Sequence, residues 1–497
     1  MNAKLDTSTD PQVGFRPPGQ LDVTDALAPY RGPFNERHAA HLLRRAGFGG
    51  TDADIGALAQ LDPQRAVDTL FHPAAPDVDF PAYPPELATL DNTKYGQRKT
   101  AVQLWWLDHM LRSRRQLVEK MTLFWSNYFA TAVSKSPPEM MAQQNALFRA
   151  QGLTNFRTLL ASVTRDPAML VWLDNRYNAK AHANENYARE VMELFTLGLG
   201  NYTEDDVKQG ARAFTGWTLK NGQPLFNPAQ HDDGLKTFLG HTGSFDADDA
   251  INIIVSQPIH QRFLAHKLLE AFLYSDPEPE LIEGVAGVYA LSGYDISRTL
   301  AAILRSNVFF STRAYRAVPK SPIEFTIGTL RYIGASQVPA NLPGVLARMG
   351  QEPMNPPSVK GWDGGPLWIN TTTMLARFNF VNTLIATTAP PAVPAKAAAM
   401  APTANAATTA PNVQPDLLVH DAGGFNAPKI VELLVSGALQ DDVTGDVRGT
   451  LVDYLTGTGA PGQAGMTNPL PFGPENYQEK IRGVVALTLN LPVNQLN

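Results

Sequence analysis

Cysteine is absent from all 497 residues. Disulfides, thiolate metal sites, iron–sulfur clusters and cysteine nucleophiles are therefore excluded. Neither charge sign is in large excess, with 41 Lys and Arg against 47 Asp and Glu and a formal net charge of −6. That balance offers no broad cationic face to nucleic acid or to an anionic membrane surface. No apolar run approaches the roughly 18 residues that a membrane-spanning helix needs. Met1 to Gly19 is polar, with prolines at 11, 17 and 18, and has no basic stretch leading into an apolar one. As written, the expectation is a cytoplasmic protein, or a periplasmic or exported one if a leader is missing. The glycine-rich nucleotide-binding patterns and the G-x-S-x-G elbow are also absent, which removes support for nucleotide, dinucleotide and α/β-hydrolase chemistry.

Hydrophobic residues make up 44% of the chain, enough for a sizeable core. Their spacing is helical almost throughout. Leu104, Leu107 and Leu111 share one helix face, as do Leu117, Met121, Phe124, Trp125 and Tyr128, with Arg112 to Arg115 as an exposed break between the two helices. Helix starts are marked by Thr51 with Asp54, by Asp62-Pro63, by Thr154, by Asp166-Pro167, by Asn184 and by Thr203 with Asp206. One strand signal stands nearly alone: Trp217 to Lys220, an Asn221-Gly222 turn and Gln223 to Phe226 read as a hairpin, with Pro224 confining its strand to an edge. The expected fold is mainly α, a multi-helical array or bundle with one short hairpin near 217–226. Residues 1–33 read as an extended arm and 34–386 as the helical core. Residues 387–415, rich in Ala, Pro and Thr, read as a flexible, disordered insertion, and 416–497 as a C-terminal helical segment packing on the core.

Three places could carry chemistry. In His231-Asp232-Asp233-Gly234, with Lys236 and His241, a histidine could act as base, an aspartate orient it and a lysine hold an anion. Against this stands a plain turn with Asp232 capping backbone N–H groups. The spacing matches no metal pattern, and no motif names a cofactor. On the helix opened by Asn184, Glu185 and Arg189 share a face, and Glu190 lies on an adjacent one with Asn186 and Glu193. Such an arc is commonly a solvated face held by i, i+4 ion pairs. Third, Trp362 and Asn370 on the Gly-rich loop after Lys360, with Trp217 on the hairpin, offer aromatic surfaces for a planar or sugar-like ligand. The same residues also suit a loop pinned to the core. His38, His41, His72, His109, His182 and His260 are lone histidines and read as structural or surface residues.

At these motifs the chain resembles a large bacterial family, domain of unknown function 1800. The matching segments are H-L-L-R-R-A-G-F-G (41–49), M-T-L-F-W-S-N-Y-F-A-T (121–131), N-E-N-Y-A-R-E-V-M-E-L-F-T-L-G (184–198), A-R-A-F-T-G-W (211–217), H-D-D-G-L-K-T-F-L-G (231–240) and K-G-W-D-G-G-P-L-W-I-N (360–370). The resemblance implies a mostly helical fold, frequent export, and a gene neighbour resembling the sulfatase/alkaline-phosphatase superfamily. It implies no established activity. Where many relatives carry histidines on either side of the Asn in W-x-N-x-F, this chain has Ser126 and Tyr128. Two readings stay open. One is an enzyme in which His231, Asp232, Lys236 and Glu190 perform acid/base chemistry on a polar or carbohydrate-like substrate held by Glu185, Arg189, Trp217, Trp362 and Asn370. The other is a non-catalytic binding or scaffold protein serving a sulfatase/phosphatase-like partner.

Overall fold

Helix boundaries in this chain are set by side chains that accept hydrogen bonds from otherwise free backbone N–H groups. The computed structural model describes residues 22–91, 93–386, 415–457 and 472–497. Among them run 22 α-helices and two two-stranded antiparallel sheets, so the fold is mainly α. Thr51 with Asp54 and Thr203 with Asp206 form reciprocal capping boxes before the helices Asp52–Ala59 and Glu204–Ala213. Asp62 and Asp166 cap helices whose first residue is proline. Tyr95–Arg112 and Gln116–Tyr128 are separate helices, broken where the Ser113 hydroxyl accepts from Arg115 N–H.

Four details differ from the sequence expectation. The stretch 22–33 is not simply extended. Asp22 caps a short helix, Val23–Leu27, and Tyr30, 2% exposed, donates its N–H to the Arg305 carbonyl at 2.8 Å. The cap after Gly152 is Asn155, not Thr154. A second hairpin follows the first: Lys236–Phe238 pairs with His241–Gly243. A further helix, Gly445–Thr456, lies in the C-terminal segment. Of the stretch read as an insertion, 387–414 lies outside the described residues, and Pro415 opens a 3-10 turn.

Two apolar cores result. The first gathers residues from Ala26 to Ala314, including Trp125, Phe129, Phe148, Phe156 and Phe195. The second joins the Tyr95–Arg112, Pro322–Tyr332 and Thr371–Ala386 helices to the C-terminal helices Ala427–Leu439, Gly445–Thr456 and Tyr477–Leu489. Trp125 is fully buried, and its indole N–H donates to the Gly152 carbonyl at 2.8 Å. Truncating such a residue to alanine costs roughly 3–5 kcal/mol. Two helix pairs mirror one another: Pro138–Gln151 with Phe156–Thr164, and Pro279–Leu291 with Ile296–Leu304. Their turns exchange backbone bonds, Phe156 N–H to the Tyr294 carbonyl (3.0 Å) and Ile296 N–H to the Thr154 carbonyl (2.9 Å). No described helix is long and apolar enough to cross a membrane.

Asp166 gives a pH test of this packing. Its carboxyl accepts from Met169 N–H (3.0 Å) and the Gln144 amide (2.8 Å), yet burial pushes it up to about 7. The folded chain then holds a proton that the unfolded chain releases near pH 4. The contribution is fully present below about pH 4 and is lost as pH rises through about 7. Asp166→Asn keeps a capping oxygen and removes the titration. Urea unfolding at each pH should show wild type losing stability relative to the variant between pH 4 and 7, by up to about 4 kcal/mol. A difference that stays constant with pH would refute the assignment.

Candidate functional site

The loop between the hairpins is held by Arg212 and Thr215, which precede the first hairpin, and by Lys236. Asp232 forms a two-point pair with Arg212, Nε to Oδ2 at 2.7 Å and Nη2 to Oδ1 at 3.1 Å. Its Oδ1 also accepts from Gly234 N–H (2.9 Å). Arg212 outweighs burial, so the Asp232 carboxyl sits below the ordinary carboxylate range. Lys236 is almost fully buried, and its ammonium donates to the carbonyls of Asp232 and Gly234. Burial lowers its pKa, and its two acceptors are neutral carbonyls. Nδ1 of His231 lies 3.0 Å from the Thr215 carbonyl and 3.1 Å from its hydroxyl. The only carboxylate near its Nε2 among the described residues is the exposed Asp233, at 3.9 Å. Asp232 thus binds Arg212 and does not orient His231.

The helix opened by Asn184, Glu185–Glu193, presents a different arrangement. Arg189 forks onto Glu204 of the next helix with two 2.7 Å bonds and reaches Glu185 at 3.5 Å. All three are partly exposed to solvent. Glu190 is half-buried, and its carboxylate has no hydrogen-bond or ion-pair partner among the described residues. Burial, then the neighbouring Glu193, raises its carboxyl. The Glu204–Ala213 helix packs against both this helix and the second hairpin. At the contact, Gly210 lets Phe238 and Ala188 approach: a Cβ there would lie 3.1 Å from the Phe238 ring and 3.5 Å from the Ala188 Cβ.

The aromatic positions divide. Trp362 is buried, its backbone N–H donating to Asn127 Oδ1 at 2.8 Å, and a Cβ on Gly361 (φ +84°) would overlap the Asn127 side chain. Asn370 caps the Thr371–Ala386 helix through Thr373 N–H. Trp217 is half-buried between Arg165, whose guanidinium lies 5.0 Å from its ring centroid, and Phe226 at 5.3 Å.

The family model described as "Protein of unknown function (DUF1800)" matches residues 41–496. The chain belongs to the DUF1800 family. No curated protein and no solved structure matches it.

In this DUF1800 chain the quoted segments bind one another. Asn127 of the second segment holds Trp362 of the sixth. The hydroxyl of the half-buried Tyr128 donates to the Phe195 carbonyl of the third at 2.6 Å. Arg212 and Thr215 of the fourth hold Asp232 and His231 of the fifth. Sequence reading singled out Asp232 and His231 but not their partners Arg212 and Thr215, since partners brought in by packing leave no spacing in the sequence. In the first segment it read His41 as a structural or surface histidine and did not single out Arg44 and Arg45; all three are buried. His41 Nε2 lies 3.0 Å from the Phe309 carbonyl, while its Nδ1 has no partner. Burial and the neighbouring Arg44 and Arg45 keep this histidine neutral.

Arg212→Met should cost roughly 2 kcal/mol, the scale of a charged hydrogen-bonded pair. Asp232→Asn should cost less, and the double variant should show coupling in urea unfolding. Because Asp232 is held low, the pair's contribution is present above about pH 4 and fades as pH falls through the folded value. Equal stability of wild type and Arg212→Met at pH 7 would refute it. Gly361→Ala should lower the unfolding midpoint through both the left-handed backbone, about 1–3 kcal/mol, and the clash with Asn127. An unchanged midpoint would remove that contact from the account.

Proposed function

We propose that this chain is a non-catalytic binding or scaffold protein that serves a protein partner. One observation carries the reading: the polar groups best placed for chemistry are bound to one another across the family segments. The Arg212–Asp232 pair, the His231–Thr215 contact and the Asn127–Trp362 contact join separate stretches of chain, and Lys236 is spent on carbonyls of its own loop. A histidine base is commonly oriented by a carboxylate; here Nδ1 of His231 faces the Thr215 carbonyl and Asp232 is taken up by Arg212. The first hairpin supplies a surface. All four residues of its outer strand are exposed, including Leu225 and Phe226. Tyr177, 66% exposed, lies on the neighbouring turn, where Gly216 N–H donates to the Asn178 carbonyl. Apolar side chains on an exposed edge suit a protein surface. The partner class is the one the family resemblance implies, a sulfatase/alkaline-phosphatase-like protein.

A second reading rests on Glu190, whose unpartnered, raised carboxyl is suited to protonating a leaving group on a polar or carbohydrate-like substrate. One comparison separates the two. Isothermal titration with a sulfatase/phosphatase-like neighbour should give saturable binding, weakened about tenfold or more by Leu225→Asp with Tyr177→Asp and unaffected by Glu190→Gln. A glycoside and ester hydrolysis panel should show no turnover that depends on Glu190 or His231. Turnover lost in Glu190→Gln, with folding intact by circular dichroism, would overturn the scaffold reading in favour of the enzyme.

A further inference from the structure

Arg44 and Lys320 are buried cations that touch no carboxylate among the described residues. Their residues are 7% and 8% exposed. Both line one cavity of about 50 Å³, together with Glu324, Tyr332, Asn494 and Asn497. The acids close by are already engaged. Glu324 accepts from the Lys120 ammonium and from Ser321 N–H (2.7 Å). Asp442 pairs with Arg316 at 2.6 Å and Arg37 at 2.9 Å. Arg377 adds further positive charge, donating to the Lys320 carbonyl (2.7 Å) and to Gln495 (3.0 Å). A buried cation without a counter-charge is costly, and two of them face the same small space.

The unsatisfied groups all have one polarity. Among the residues lining the cavity, the buried side-chain polar atoms without a hydrogen-bond partner are Arg44 Nε, Arg44 Nη2 and Asn497 Nδ2, every one a donor. Arg44 Nη1 is taken by Gln440 Oε1 and the guanidinium has Tyr315 beside it, 5.7 Å from the ring centroid, while Nε and Nη2, along one edge, have no hydrogen-bond partner. That edge is the fork that matches two oxygens of an oxyanion. Lys320 spends one donor on Asn494 Oδ1 at 3.0 Å and has two more.

We infer that this cavity is a binding site for a small tetrahedral oxyanion, phosphate or sulfate. Arg44 takes two oxygens in its fork, while Lys320 and Asn497 supply donors for the others. A carboxylate has only two oxygens and leaves part of this donor set unmatched. Bound anion offsets the two unpaired charges, and it favours the protonated ammonium of Lys320, which burial and the neighbouring arginines otherwise disfavour. The inference is independent of the partner-binding reading, because its readout is ion binding.

The test uses the full chain purified in chloride buffer free of oxyanions, titrated calorimetrically at fixed ionic strength with phosphate, sulfate and, as a planar control, acetate. Wild type should bind phosphate, sulfate or both at one ion per chain, about tenfold or more tighter than acetate, and its unfolding midpoint should rise with ion concentration. The ratio of phosphate to sulfate affinity names the ion. Lys320→Met should weaken binding at least about tenfold, while its ion-free midpoint should match or exceed that of wild type, since an unpaired buried charge is gone. Arg44→Gln should lose binding likewise, and it carries the test should Lys320→Met fail to fold. No saturable binding to wild type below ~10 mM, or unchanged binding in a folded variant, would overturn the inference.

Discussion

The Lys120–Glu324 pair is the interaction on which the rest of the molecule hangs. Lys120 comes from the Gln116–Tyr128 helix, whose Leu117, Met121 and Trp125 belong to the first core. Glu324 opens the Pro322–Tyr332 helix, whose Ile323, Phe325 and Ile327 belong to the second. The glutamate also closes the capping box with Ser321, so one carboxylate starts a helix and ties two cores together. Burial alone would neutralise it, but Lys120 and the Ser321 N–H hold it ionised and below the ordinary range. A charge held this way is sensitive to its surroundings, and the cationic neighbourhood of Arg45, Arg44 and Lys320 follows from where that pair sits.

Around this anchor the family segments act as mutual fasteners. Such fasteners explain why polar residues are dense where apolar packing is also strong: each polar bond spans a join between helices whose apolar faces meet. The Glu185–Arg189–Glu204 group differs, since its solvent exposure screens each pair and leaves it little share in holding the helices together. Glu190 alone of the singled-out carboxylates keeps a free valence.

What the sequence made legible was local. Capping boxes, Asp-Pro starts and the Asn221-Gly222 turn announce themselves within four residues, and the structure places them where the chemistry of each end demands. The second hairpin was not legible, because three residues on each side of Leu239-Gly240 carry no alternation to read, and Leu239 takes φ +48° against its type. Asp232 was visible as a candidate, but its partner Arg212 sat on a helix read for its caps. Arg44 and Lys320 were invisible as a pair, since nothing in a sequence tells that residues so far apart face one space, or that both are dry.

The cavity between them has a temporal consequence. Its walls come from residues 40–55, 320–332, 437–440 and 489–497. During synthesis the first wall leaves the ribosome hundreds of residues before the last. Arg44 must therefore stay hydrated, or borrow other partners, while most of the polypeptide is made. Contacts this distant along the chain form late and slowly. Until the closing segment docks, the arginines of the Glu36–Arg45 helix remain a solvated cationic surface, open to whatever polyanion the nascent chain meets.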